Sequence, residues 1–197
     1  MVGSRTIKVL VALVAAMTVG AFLLVLMLET GGPVLPRERD LAALRAGPEG
    51  LAPSVLDADV PHQPLKWRHI ILHSAASRPD IAARCHFVIT DSGRNIEQCI
   101  RPTELWRRQM EGNHAFVPGY DYNATSLGIC LEGDFSRQGP SARQFEAAVA
   151  LTQALQQTFN IPRDRVFLYR DLTPRSASPG AAFPEGRFNG RLLAATR

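Results

Sequence analysis

The chain predicts an α/β or α+β sheet domain behind one membrane-spanning helix. Three observations carry this expectation. Residues 9–28 form an uncharged apolar run. Short β-prone segments recur between Ile70 and Tyr169. One longer segment, opened by Ser141, repeats its apolar residues at the helical period as far as Phe159. Strands interleaved with a helix need a layered sheet to bury both kinds of apolar face.

The 197 residues leave room for one ordinary domain and an extension. The net charge of +4 is an ordinary solubility excess that leans only weakly toward an anionic partner, and no nucleic-acid partner is expected. The three cysteines, Cys85, Cys99 and Cys130, make no C-x-x-C, which argues against a zinc knuckle or a thioredoxin-like motif.

Val9 to Leu28 is apolar apart from Thr18, and long enough to cross a bilayer core. Arg5 and Lys8 precede it and Glu29 follows. That asymmetry places residues 1–8 in the cytoplasm and the rest outside it. A cleaved signal peptide is the rival reading. The run is long for one, and no small-x-small site follows, so an uncleaved anchor is preferred. The expected location is therefore the cell membrane, single-pass, with the domain on the extracytoplasmic side. Residues 29–64 read as a linker, broken by Gly31-Gly32-Pro33, Pro36, Gly47-Pro48, Pro53, Pro61 and Pro64. The folded domain is expected over residues 65–197.

Within it, Ile70-Ile71-Leu72 leads into His73, a buried strand that ends in a loop. Residues 74–84 form a short connection. Residues 85–90 read as a second strand, Asp91-Ser92-Gly93 as a turn with Gly in a left-handed conformation, and residues 94–100 as the return strand. In that register Cys85 stands opposite Cys99, a cross-strand pair that could close a disulfide outside the cytoplasm. Alternation on the strand would turn His86 away from Cys85. Ser126 to Glu132 is a further apolar strand, with Cys130 as inert core. Ser141 and Gln144 have capping-box spacing, and Phe145, Ala148, Val149, Thr152, Leu155 and Phe159 share one helix face. Val166 to Tyr169 is the last strand.

Five segments together resemble one family: I-I-L-H-S-A-A-S (70–77), H-F-V-I-T-D-S-G (86–93), G-N-H-A (112–115), N-A-T-S-L-G-I-C-L-E-G-D-F (123–135) and L-Y-R-D-L-T-P-R-S-A-S-P-G (168–180). In this order they are similar to the zinc-dependent N-acetylmuramoyl-L-alanine amidases of the phage-lysozyme and peptidoglycan-recognition-protein type. The resemblance runs from Leu65 to Phe188. It implies a mixed central β-sheet flanked by helices. It also implies hydrolysis of the amide between the glycan's lactyl group and the first stem-peptide alanine, by a zinc ion held on three protein ligands.

The same resemblance assigns His73 as the first ligand. The second position, a histidine in the family, is Tyr169 here. The third, a cysteine or aspartate, is Ser178, and the tyrosine that precedes the second strand is Cys85. A phenol and a neutral hydroxyl are poor zinc ligands beside imidazole and thiolate. The resemblance to non-cutting recognition proteins with serine at the third position implies a muropeptide-binding pseudoenzyme. Its expected substrate-binding residues are His73, His114, Asn123, Tyr169 and Arg170, the last paired with Asp171. Its expected partners are peptidoglycan or muropeptides and, through the N-terminal helix, the membrane. No cofactor is expected in that case. Two alternatives stand beside it. One is an active amidase with zinc in a site rebuilt around His73 and Cys85, with Glu132 as general base. The other is an envelope scaffold that binds no glycan. Arg101, Arg107 and Arg108 could meet stem-peptide carboxylates, but a solvated basic face is the preferred reading.

Overall fold

The structure is a computed structural model and is described here for residues 51–76 and 79–194. The expected anchor at 9–28 and the first part of the expected linker lie outside the described residues. Among the described residues no helix is long and apolar enough to cross a membrane.

A mixed five-stranded sheet forms the centre. Its strands are β1 (His69–Ser74), β2 (Phe87–Ile89), β3 (Ile100–Pro102), β4 (Ser126–Leu131) and β5 (Val166–Leu168), in the spatial order β3-β2-β4-β1-β5. β3 alone runs antiparallel, against β2. β1 lies parallel between β4 and β5, which makes it interior to the sheet. Ile70, Leu72, Leu127, Ile129 and Leu131 are wholly buried. They share one face by alternation.

That face packs under the long helix Ala142–Phe159, the expected helix with its expected cap. Ser141 accepts from the Gln144 N–H, and the Gln144 side chain accepts from the Ser141 N–H. Phe145, Ala148, Val149, Leu151 and Leu155 turn inward against the sheet. Each fully buried large side chain contributes roughly 1.5–3 kcal/mol. This layer covers one face of the sheet, and the site lies on the other.

Three expectations need correction here. The return strand over 94–100 is instead a short helix, Ile96–Cys99, followed by β3. Asn95 caps it, accepting from the Gln98 N–H at 2.9 Å, while Gln98 Oε1 accepts from the Arg94 N–H at 3.0 Å. This local capping outcompetes the β-prone pattern. Gly93 is needed for close approach rather than for a left-handed turn. A Cβ there would lie 2.5 Å from the Cys99 backbone nitrogen. The register moves with it. Thr90, not Cys85, meets Cys99, and all three cysteines are free thiols.

The segment expected as linker also makes contacts with the domain. From Leu51 onward it packs on the domain. A 3-10 turn over Pro53–Leu56 seats Val55 in the core, Trp106 Nε1 donates to the Asp57 carbonyl at 3.2 Å, and the Asp59 N–H reaches the Arg107 carbonyl at 2.8 Å. Pro- and Gly-rich composition disguised this strap, because its few apolar residues carry no periodicity.

Replacing Ser141 by Ala removes the cap of the long helix and its bond to Asp91. The expected result is a loss of about 1 kcal/mol of stability in urea unfolding, with the sheet's far face unchanged. A change below a few tenths of a kcal/mol would contradict the capping role.

Candidate binding site

The site is built at the C-terminal end of β1. Alternation places His73 on the sheet face away from the long helix, with Gly128 and Cys130 of β4 beside it. Tyr169 follows directly after β5 and opens the short helix Tyr169–Leu172. The segment 173–178 returns Ser178 to the end of β1. Together with the loop 113–118 these residues enclose a cavity of ≈ 860 Å³.

Three imidazoles line up beneath it. His73 Nε2 lies 3.0 Å from His114 Nδ1, and both side chains are buried. Their tautomers follow from the neighbours. The Ser126 hydroxyl donates to the Tyr122 carbonyl, so toward His114 Nε2, 3.5 Å away, its oxygen can only accept. His114 therefore carries its proton on Nε2 and accepts from the His73 Nε2–H. The Nδ1 lone pair of His73 is left for the cavity. His86 stands behind, its ring 5.8 Å from that of His114. Its Nδ1 accepts from the Gly128 N–H and its Nε2–H donates to the Met110 carbonyl, each at 3.0 Å. β2 starts only at Phe87, so strand alternation does not govern the two residues before it; His86 packs against Trp67 and His114, and Cys85 against Ile81 and Cys130.

Burial sets the charge of this group. It lowers His73 well below the ordinary histidine value, His86 to about 3 and His114 to about 4. All three are neutral near pH 7.

Two glycines make room for His114. A Cβ on Gly112 would lie 2.4 Å from its Cδ2, and a Cβ on Gly128 would lie 2.6 Å from its Cγ and Cδ2. The G-N-H-A and S-L-G segments are thus two walls of one slot. Asn123 closes it. Its Oδ1 accepts from the backbone N–H of both His114 and Ala115 at 2.9 Å.

Against this geometry, comparison with known proteins is decisive. The family model for N-acetylmuramoyl-L-alanine amidase matches residues 63–181, more than half of the chain. The chain belongs to the N-acetylmuramoyl-L-alanine amidase family. Among solved structures it is similar to the amidase LysC from Clostridium intestinale, at 21% identity and a TM-score of 0.51, over 68% of this chain and 91% of that one. It is similar to the amidase AmiD of E. coli, solved with anhydro-N-acetylmuramic acid-L-Ala-D-gamma-Glu-L-Lys, at 18% identity and a TM-score of 0.55, over 71% of this chain and 62% of that one. It is also similar to AmpDh3 of Pseudomonas aeruginosa, solved with anhydromuramic pentapeptide, at 18% identity and a TM-score of 0.51, over 68% and 64% of the two chains. These likenesses support the fold. No curated protein matches the chain.

In this amidase-family domain the three positions that the sequence resemblance assigns to zinc do converge. His73, Tyr169 and Ser178 all line the cavity, and the Tyr169 ring packs on His73 with centroids 4.7 Å apart. Their donor chemistry does not fit a zinc ion. His73 offers one imidazole lone pair. The Tyr169 hydroxyl is held between the N–H and the carbonyl of Phe116, at 3.3 Å each. The Ser178 hydroxyl oxygen accepts from the Ser74 N–H at 2.9 Å. Two neutral oxygens already bound to backbone replace two strong ligands. Among the described residues no group of three His, Cys, Asp or Glu side chains is placed to hold a metal.

The other expected residues lie elsewhere. Glu132 pairs with Arg101 at 2.6 Å on the exposed side of the sheet and does not line the cavity. Cys85 is sealed against Ile81 and Cys130, and burial raises its thiol well above the ordinary cysteine value. Arg170 pairs with Glu185, not Asp171, and donates to the Gly180 carbonyl at 2.7 Å. Asp171 instead accepts from the Leu168 N–H at 2.9 Å. Arg170 and Asn123 therefore brace the loops around the cavity without lining it. Sequence reasoning passed over Asn113, Phe116 and Arg175, which do line it. Asn113 and Arg175 lie within the quoted segments but carried no assigned role there, and Phe116 falls just outside one; each enters through loop geometry.

Two outcomes test this site. Gly128→Ala pushes a methyl into the His114 ring, and a loss of roughly 1–3 kcal/mol in urea unfolding is expected. A neutral effect would mean the slot is looser than described. The second concerns acid. The unfolded chain binds protons at its histidines near pH 6.5, while folded His86 and His114 bind them only near 3 and 4. The unfolded state thus takes up more protons, so stability holds above about pH 6.5 and falls from there toward pH 4. Urea midpoints across that range should drop, and His86→Gln should flatten the slope.

Proposed function

We propose that this domain binds muropeptides in the cavity and does not hydrolyse them. The observation that carries this reading is the state of the cavity's own groups. Tyr169 and Ser178 are committed to backbone, His73 and His114 are neutral, and no carboxylate lines the cavity among the described residues. Amide hydrolysis needs an activated water. Without a metal, that falls to a base whose strength declines with its pKa, and a deeply buried His73 is a weak one.

The same groups suit binding. The cavity volume lies within the roughly 300–1,000 Å³ of small-molecule sites. The His73 Nδ1 lone pair accepts a hydrogen bond from an amide or hydroxyl of the ligand. Phe116, 80% exposed, gives the rim an apolar edge on which a sugar or lactyl face can rest. The muropeptides named in the AmiD and AmpDh3 complexes support peptidoglycan fragments as the ligand class. Zinc has no role as a resident cofactor in this reading. The apolar run at 9–28 holds the chain to the cell membrane as a single-pass anchor, with the domain outside the cytoplasm facing peptidoglycan.

The full chain in detergent micelles, purified without chelator, gives the test. Muropeptide binding by calorimetry, bound zinc per chain and release of stem peptide would be measured together. Binding with no zinc and no release is expected. His73→Ala should weaken binding several-fold. Near one zinc per chain, with peptide release that His73→Ala abolishes, would replace this reading with an active amidase. Absence of binding and of turnover would leave an envelope scaffold.

A further inference from the structure

We propose that the end of the domain opposite the cavity seats on an anionic phospholipid surface, through Leu65, Arg68, Arg163 and Arg165, and so holds the cavity on the side away from the membrane. This rests on the reading of residues 9–28 as a membrane anchor and is independent of what the cavity binds.

β1, β4 and β5 run parallel, so their first residues share one end of the sheet, while the cavity lies at the other. The six residues of β1 set the two ends roughly 20 Å apart. At the first end Leu65 and Arg68 meet Pro162 and Arg165 around a pocket of ≈ 200 Å³ with no Asp or Glu in its wall among the described residues. Leu65 is 87% exposed, more than any other large apolar side chain described. Arg68, Arg163 and Arg165 are exposed too, and none has an ion pair among the described residues. Arg68 is held only by Nε, which donates to the Leu65 carbonyl at 3.5 Å. Lys66 is committed to the domain: its ammonium donates to the Gln109 carbonyl at 2.7 Å and lies over the Trp67 ring. Asp164 is the one carboxylate on the turn Arg163–Arg165, and the Asp121 carboxylate is taken up by the Ala124 N–H. The positive field is felt inside: after burial, Arg165 and then Arg68 hold His69 below the ordinary histidine value. Tyr120, 44% exposed, and Tyr122 pack on His69 at centroid distances of 5.6 and 5.2 Å and continue this end of the domain as an aromatic edge.

Unpaired guanidinium groups around an exposed aliphatic tip fit a phospholipid interface in two respects. The planar fork of arginine matches phosphate through paired hydrogen bonds. A leucine beside it leaves water by entering the boundary between headgroups and acyl chains. Tyrosines favour the headgroup level, with the ring apolar and the hydroxyl wet. A soluble polyanion would satisfy the arginines but leave Leu65 in water, so the membrane is the occupant the chemistry favours. Each basic residue adds only a modest attraction to an anionic surface, and three would not hold a free domain there. A tethered domain needs less. Residues 29–50 span at most roughly 75 Å even fully extended. The anchor therefore keeps the domain at high effective concentration over the surface, where a weak contact suffices to choose its orientation.

The test uses the full chain in phosphatidylcholine vesicles, with and without phosphatidylglycerol. A bimane label is attached at Gln63→Cys, beside the seat, or at Gln138→Cys, in the loop beyond the far end of β4; both positions are exposed, and the three native thiols are buried. Quenching by a lipid with a nitroxide headgroup is read. In anionic vesicles the label at 63 is expected to be quenched several-fold more than the label at 138, and the difference should shrink with added salt or without phosphatidylglycerol. Arg68→Gln combined with Arg165→Gln should abolish the difference, and Leu65→Ser should reduce it. Arg137→Gln, a control at the far end, should leave it unchanged, with circular dichroism confirming each fold. Equal quenching at the two positions would overturn the proposal, as would a difference that survives the double variant or ignores anionic lipid. A soluble polyphosphate that shifts the emission at 63 as strongly as vesicles do, with no effect of Leu65→Ser, would overturn it in favour of a polyanion site. A chain that does not float with the vesicles removes the anchor reading and this inference together. Flotation with equal quenching removes this inference alone.

Discussion

The hydrogen bond between His73 and His114 is the constraint on which the site depends. It joins the end of the interior strand β1 to the loop that precedes β4, and it does so where water is excluded. A buried imidazole pair is tolerable only if neither ring is charged and each nitrogen has a partner or faces the cavity. The fold arranges this by lending backbone and hydroxyl groups in sequence: Tyr122 fixes Ser126, Ser126 fixes His114, and His114 fixes His73. The two glycines that flank His114 and the double acceptor Asn123 exist to keep that loop where the chain of tautomers requires it.

The family relation changes what this pair means. The chain belongs to the N-acetylmuramoyl-L-alanine amidase family, and the three positions by which zinc would be held lie around one cavity. Two of them act as struts in this structure. Tyr169 ties to the Phe116 backbone, and Ser178 ties to the Ser74 backbone. Each hydroxyl takes up a backbone hydrogen bond that helps hold the cavity wall in place.

Much of this was legible in the residues. The long helix announced itself through its cap and its apolar period, and the buried runs of β1 and β4 through length and β-branched content. His73 and His114 were visible as motif histidines, but their hydrogen bond was not, because it spans forty-one positions. The short helix Ile96–Cys99 was misread because a local Asn-x-x-Gln cap is weaker as a pattern than the apolar residues around it. His86 was set aside by an alternation rule that begins to hold one residue later. Arg170 was paired with its sequence neighbour, whereas the carboxylate that reaches it comes from the helix Glu185–Arg191. For the imidazole pair and for Arg170 the missing term was contact between distant segments, which periodicity and propensity do not encode.

The strap from Leu51 to the start of β1 has a mechanical consequence. A pull on the chain from its N-terminal side does not arrive at β1 first. It is taken up at the sheet's edge by the seat of Val55 and by the bonds from Trp106 to Asp57 and from Asp59 to Arg107. Val55 and Trp106 are buried, so these contacts must give way before the load moves on. The interior strand that positions His73 is loaded only after they have gone. The strap thus acts as a strain relief, separating whatever tugs on the upstream chain from the geometry of the pocket.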